Sequence, residues 1–145
     1  MENLKLDNQL CFPVYALSRQ ITALYRPYLE KLGLTYPQYL VMLVLWEKEK
    51  ATVKELGQSL WLDSGTLTPL LKRMEENGMV SRTRSEMDER VVNVNITAKG
   101  QALKAEAAAI PEKMMVHFGS NEQEILQLRE QLKLILAATS AECKQ

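Results

Sequence analysis

The sequence predicts a mainly α-helical fold with one small β-hairpin, in the order α-α-α-α-β-β-α-α. Three observations carry that expectation. Apolar residues recur at three- and four-residue steps along most of the 145 residues. A Thr, Asp or Asn stands just ahead of several of these amphipathic runs, which is how a helix start reads. Only residues 80–84 and 91–96 alternate like strands, and they flank the charged turn Glu86-Met87-Asp88-Glu89-Arg90.

Taken in order, residues 8–32 read as a long helix striped by Leu10, Val14, Leu17, Ile21, Leu24, Tyr25, Tyr28 and Leu32. Proline is tolerated in a first turn, where its missing N–H has no partner to lose. Pro13 therefore places the helix start near residues 9–12, with Cys11 in or beside the first turn. Pro27 predicts a kink and Gly33 an end. Thr35-Tyr36-Pro37-Gln38 reads as a capping box opening a central helix to about Lys48, and Thr52-Val53-Lys54-Glu55 as a second, opening a short helix to about Leu60. The next helix starts at Asp63 or Ser64 and stops at Asn77-Gly78, with a local irregularity expected at Pro69. After the hairpin, Thr97 caps a helix interrupted at Pro111 and ended near Gly119. Asn121 caps a last one, whose Ile125, Leu128, Leu132, Ile135 and Leu136 form an apolar stripe.

Three helices and a hairpin, residues 36–96, form a candidate winged helix-turn-helix. The flanking stretches, 1–35 and 97–145, each carry an apolar stripe needing burial, which suggests a helical dimerisation region.

Composition narrows the rest. A hydrophobic fraction of 46% is enough for a core. No apolar run reaches the roughly 20 residues of a membrane span, and MENLKLDNQ lacks the basic-then-apolar order of a signal peptide. No membrane role is expected. Lys and Arg total 18, as do Asp and Glu, so any nucleic-acid interface must depend on where the bases sit. With two cysteines, Cys11 and Cys143, one histidine and no CxxC, neither a zinc site nor any cofactor is expected. A reducing, cytoplasmic location fits best.

A recognition helix offers its N-terminal residues to base edges while flanking groups hold phosphates. Asp63, Ser64, Gly65, Thr66 and Thr68 supply such a polar start, and Lys72 and Arg73 follow within reach of the backbone. Arg82 and Arg84 lie on the first hairpin strand. Arg90 at the tip can enter a minor groove, held in position by Asp88. The plainer alternative makes the polar start only an N-cap and the hairpin only a connector; the order of elements argues against it.

These residues meet a known family. LDSGTLTPLLKRMEENGMVSRTRSEMDERVVNVNITAKG, with D-E-R at the tip and T-x-x-G after it, resembles the centre of MarR-type transcriptional regulators. QLCFPVYALSRQITALYRPYLEKLGLTYPQYLVMLVLWE is similar to their organic-hydroperoxide-sensing branch. The resemblance covers essentially the whole chain. It implies a winged-helix homodimer, an inverted-repeat operator in double-stranded DNA, and a sensor made of Cys11, Tyr15, Tyr25 and Tyr36.

The residues themselves support part of this. A thiolate attacks the peroxide O–O bond, and a helix N-terminus lowers a thiol's pKa. Tyr15 lies one turn from Cys11, but Tyr25 lies 14 residues away, ~21 Å along a continuous helix. It can reach a Cys11 only from a second subunit or around a sharp bend at Pro27; the resemblance implies the former. The bland reading remains beside it: free cysteines are often small buried hydrophobes, and tyrosines at helical spacing are usually core. After oxidation Cys11 can be finished by a low-molecular-weight thiol or by overoxidation, the favoured one-cysteine route, or Cys143 can resolve it as an intermolecular disulfide.

The expected function is therefore a repressor that releases its operator when Cys11 is oxidised by an organic hydroperoxide, and not an enzyme. A MarR-type regulator answering a phenolic ligand is the alternative, and a thiol peroxidase the more distant one.

Overall fold

The computed structural model describes residues 1–119 and 121–140. Two single 3-10 turns, Glu2–Leu4 and Leu6–Asn8, precede α1 (Cys11–Glu30). Then come α2 (Tyr36–Lys48), β1 (Lys50–Thr52), α3 (Val53–Leu60), α4 (Ser64–Glu76), β2 (Val80–Arg84), β3 (Val92–Ile96), α5 (Ala98–Ala107), α6 (Ile110–Met115) and α7 (Glu122–Ser140). The chain divides into two compact units, Met1–Ala108 and a second beginning at Ala109.

The helix boundaries follow local chemistry. Gly33, at φ +68°, turns the chain after α1, and the Leu34 N–H donates back to the Leu29 carbonyl at 3.0 Å. Thr35 and Thr52 both form full capping boxes, with Gln38 and Glu55 reaching back to the cap N–H groups. Such a cap is worth about 1 kcal/mol to its helix. Of the two residues considered for the start of α4, Asp63 is the cap, and its carboxylate accepts from the Thr66 N–H at 2.7 Å.

Three details differ from the sequence-based expectation. A third strand exists: β1 pairs antiparallel with β3, Ala51 opposite Val94, giving the order β1-β3-β2. Three residues are too few to show an alternating pattern. Pro69 does not disturb α4, which runs through it. The carbonyl it fails to serve is that of Gly65, in the exposed first turn, where water can replace the lost donor. The helix expected from Thr97 to near Gly119 with an interruption at Pro111 is broken a few residues earlier than Pro111, into α5, α6 and a 3-10 turn, Val116–Phe118. Pro111 cannot donate to the carbonyl of Ala107, and α5 ends at Ala107.

Within the first unit, α2 is central, with Val41, Met42 and Leu45 wholly buried. They join Leu29, Leu56, Leu67, Leu71, Met74, Val80 and Val94. Each such side chain contributes roughly 1.5–3 kcal/mol on burial. The root of the hairpin packs without slack: a Cβ added at Gly100 would lie 2.4 Å from the Met79 carbonyl oxygen. Beside it, the buried Trp46 indole N–H donates to the Gly100 carbonyl at 3.0 Å, and Lys104 Nζ donates to the Trp46 carbonyl at 2.8 Å.

In the second unit, Ile110 and Met114 are buried, whereas no residue of α7 is. Leu128, Leu132, Ile135 and Leu136 of the expected apolar stripe all stand exposed. No helix among the described residues is long and apolar enough to cross a membrane.

Candidate nucleic-acid interface and thiol site

The start of α4 presents Ser64, Gly65, Thr66 and Thr68 to solvent, with Lys72 and Arg73 exposed further along. Asp63 is committed to the cap, and the Thr66 N–H bond holds its carboxyl below the ordinary value. The Thr68 hydroxyl donates to the Ser64 carbonyl at 2.7 Å, which leaves its oxygen free to accept.

The hairpin arginines separate into different environments. Arg82 is tied to α4: its Nη2 donates to Glu75 Oε1 at 3.1 Å and its backbone N–H to Oε2 at 2.7 Å. Those bonds hold the Glu75 carboxyl below the ordinary value, and Arg82 Nε is buried without a hydrogen-bond partner. Arg84 Nη1 donates to the Glu89 carbonyl at 2.8 Å, bracing the turn. At the tip, Arg90 meets Asp88 as a fork, Nε to Oδ1 at 3.1 Å and Nη2 to Oδ2 at 3.3 Å. The Arg90 backbone N–H also donates to Asp88 Oδ1 at 3.0 Å. These bonds, the side-chain ones foremost, hold Asp88 ionised below its ordinary pKa. The Arg90 side chain stays 91% exposed, aimed but uncovered.

Between α3, α4 and the hairpin lies a concavity of about 950 Å³, bordered by Lys54, Gln58, Thr68, Arg82, Arg84 and Arg90. Sequence reasoning missed Lys54 and Gln58. Their four-residue spacing in α3 was the available signal, for it sets both on one helical face.

Cys11 is the first residue of α1, is exposed, and is a free thiol. Pro13 sits in the first turn, as its chemistry requires. Tyr15 lies one turn on, and the Arg19 guanidinium carbon stands 5.3 Å from the centre of its ring. Tyr25 and Tyr36 come together from α1 and α2, ring centres 4.8 Å apart. Tyr39, which sequence reasoning left in the core, completes the group at 5.7 Å from Tyr25 and 6.3 Å from Tyr36. The three-residue step from Tyr36 could have suggested it. Burial, then the neighbouring Tyr36 and Tyr39, pushes the Tyr25 phenol up to about 12. Burial also raises Tyr36. Because α1 is one continuous helix, the 14-residue separation keeps Tyr25 ~21 Å along the axis from Cys11 of the same chain. The four expected sensor residues therefore form two half-sites, Cys11 with Tyr15 and Tyr25 with Tyr36. Cys143 lies outside the described residues.

A capped helix with a hydroxyl-rich start, a braced basic hairpin and an exposed thiol at the head of a long helix define a winged helix-turn-helix transcriptional regulator. The family described as transcriptional regulator SarA/Rot matches residues 23–107. The chain belongs to that family, among MarR-type winged-helix regulators of the organic hydroperoxide branch. It is 49% identical over 135 residues to the organic hydroperoxide resistance transcriptional regulator of Bacillus subtilis, covering 93% of this chain and 92% of that protein. Among solved structures it is similar to AbfR of Staphylococcus epidermidis. Reduced AbfR bound to DNA is 38% identical, with a TM-score of 0.81 over 95% of this chain and 96% of that one. AbfR has also been solved overoxidised on DNA (38%, TM-score 0.74, 93% and 99% covered) and in a disulfide form (38%, TM-score 0.66, 93% and 95% covered).

Proposed function

We propose that this regulator is a homodimeric repressor that releases an inverted-repeat operator when an organic hydroperoxide oxidises Cys11. One observation carries the reading: the exposed Cys11 heads the same unbroken helix whose far end builds the Tyr25–Tyr36 pair. Neither half-site is a sensor alone, and a second subunit running antiparallel would bring the partner's phenols to the thiol. The helical regions 1–35 and 97–145 supply that interface. Leu10, Phe12, Val14 and Leu17 on α1, like the α7 leucines, are exposed apolar groups that a second copy would cover.

The chemistry follows from the groups present. The Cys11 thiolate attacks the terminal peroxide oxygen. The S–O bond forms as the O–O bond breaks, and the alkoxide leaves and takes a proton to become an alcohol. Sulfur is oxidised to a sulfenic acid, and phenol donors that stabilised the thiolate lose their partner. A second thiol then condenses with the sulfenic acid, releasing water and forming a disulfide. Because overoxidised AbfR is found on DNA, we assign release to this capping step rather than to added oxygen. The capping thiol is a low-molecular-weight one, with Cys143 of the partner as the rival. Non-reducing gels separate them: a covalent dimer lost in Cys143→Ser identifies the protein disulfide.

On DNA, Ser64, Thr66 and Thr68 face the major groove, Lys72, Arg73 and Arg84 lie near phosphates, and Arg90, aimed by Asp88, enters a minor groove. Half-sites lie about one helical turn apart. The deciding experiment measures operator binding before and after stoichiometric cumene hydroperoxide added with one equivalent of a low-molecular-weight thiol. Cys11→Ser should bind like wild type and stay bound; a Cys11→Ser protein released normally refutes the reading. Peroxide consumption should stop at about one equivalent per chain, as expected of a sensor rather than a peroxidase.

A further inference from the structure

The Tyr25–Tyr36 pair does not stand alone but is backed by a file of buried aromatic groups that ends at the hairpin root. Tyr39 is almost wholly covered and touches both phenols. Its other side meets Trp46, ring centres 6.1 Å apart and near edge-on. Trp46 is held at both ends, its indole on the Gly100 carbonyl and its own carbonyl by Lys104. Gly100 in turn takes the Thr97 hydroxyl as its N–H acceptor at 3.0 Å, and that hydroxyl lies 2.6 Å from the Gly78 carbonyl oxygen and 3.0 Å from that of Met79. Those residues are where β2 leaves α4 and β3 enters α5. Close-packed interiors transmit displacement because no void absorbs it, and the space at Gly100 cannot take even one added methyl.

We propose that Tyr39 is a positioning residue that couples the Tyr25–Tyr36 pair to the root of the wing through Trp46. The inference rests on the oxidation reading of Cys11. In the reduced protein the two phenols and Tyr39 pack as one three-ring group. When the phenols reorient on oxidation, the Tyr39 ring shifts, the Trp46 edge contact changes, and the indole alters its hold on Gly100. The hairpin then rotates relative to α4, and the operator is lost without any strand unfolding.

The chain has two tryptophans, so Trp61→Phe leaves Trp46 as the only tryptophan, excited selectively beyond the tyrosine band. In that parent we measure Trp46 emission, operator affinity by anisotropy and Cys11 oxidation by mass spectrometry, before and after stoichiometric cumene hydroperoxide with one equivalent of a low-molecular-weight thiol. The parent should release DNA with a change in Trp46 emission. Adding Tyr39→Leu should leave reduced-state binding and the extent of Cys11 oxidation unchanged. The oxidation-linked fall in affinity should shrink about fivefold or more, with Trp46 emission unmoved. Tyr39→Phe keeps the ring and should behave as the parent. DNA release from the parent with constant Trp46 emission overturns the proposal, even if Tyr39→Leu does not fold. So does Tyr39→Leu releasing as fully as the parent, or Tyr39→Phe losing the response. A parent whose Cys11 is oxidised and capped yet keeps its operator refutes the sensing reading itself, and this inference with it.

Discussion

A phenol donates a hydrogen bond only while it holds its proton, and Tyr25 holds its proton up to about 12 because it is buried beside two other rings. The sign of the linkage follows. Folding favours the neutral phenol, so its contribution to stability is complete below the ordinary value of 10 and is lost as pH rises from 10 to about 12. In an alkaline absorbance titration, the wild type minus Tyr25→Phe difference should rise near 12. Tyr25→Phe should also flatten the loss of stability between those values. A difference spectrum rising at 10 would mean the ring is solvated. Cys11 and Tyr15 contrast with this pair, for both are exposed whereas Tyr25 and Tyr36 are half-buried.

At the scale of the element, the hairpin assigns unlike tasks to like side chains. Arg82, fastened to Glu75, joins β2 to α4. Among the described residues Arg90 is fastened only to Asp88 and is otherwise bare. Arg90→Ala should therefore weaken operator binding and lower the slope of log affinity against log salt by about 0.9 or less, the share of one phosphate. Its thermal stability should stay near wild type, since an exposed ion pair contributes little. An unchanged slope in a salt titration removes Arg90 from the DNA contacts. The strand β1 supports the same element from the other edge of β3, and Thr52 serves at once as its last residue and as the cap of α3.

At the scale of the whole molecule, the exposed apolar side chains of α1 and α7 are its clearest unmet demand. Leu10, Phe12, Leu17, Leu128, Leu132 and Ile135 all face solvent in the single chain. Placing a charge in such a stripe should oppose association strongly, because a carboxylate desolvated without a partner costs several kcal/mol. On the proposed dimer, wild type should sediment as a dimer and Leu132→Glu as a monomer, whose operator affinity should fall by more than tenfold, since two half-sites would then be bound separately. A dimeric Leu132→Glu protein with full affinity places the subunit contact elsewhere.

Short-range chemistry was open to reading from the sequence alone. The caps at Thr35, Thr52, Asp63 and Thr97, the turn at Gly33 and the hairpin each depend on neighbours within a few residues, so their signatures lie contiguous in the chain. The position of Cys11 at a helix start followed from Pro13 in the same way. Tertiary structure alone decided what depends on distant partners. It paired a three-residue β1 with β3, tied Arg82 to Glu75, and added Lys54 and Gln58 to the cleft. It also drew Tyr39 and Trp46 into line behind Tyr25 and Tyr36. Periodicity marks which side chains are buried; which rings meet is set by how helices pack, and no local pattern encodes that.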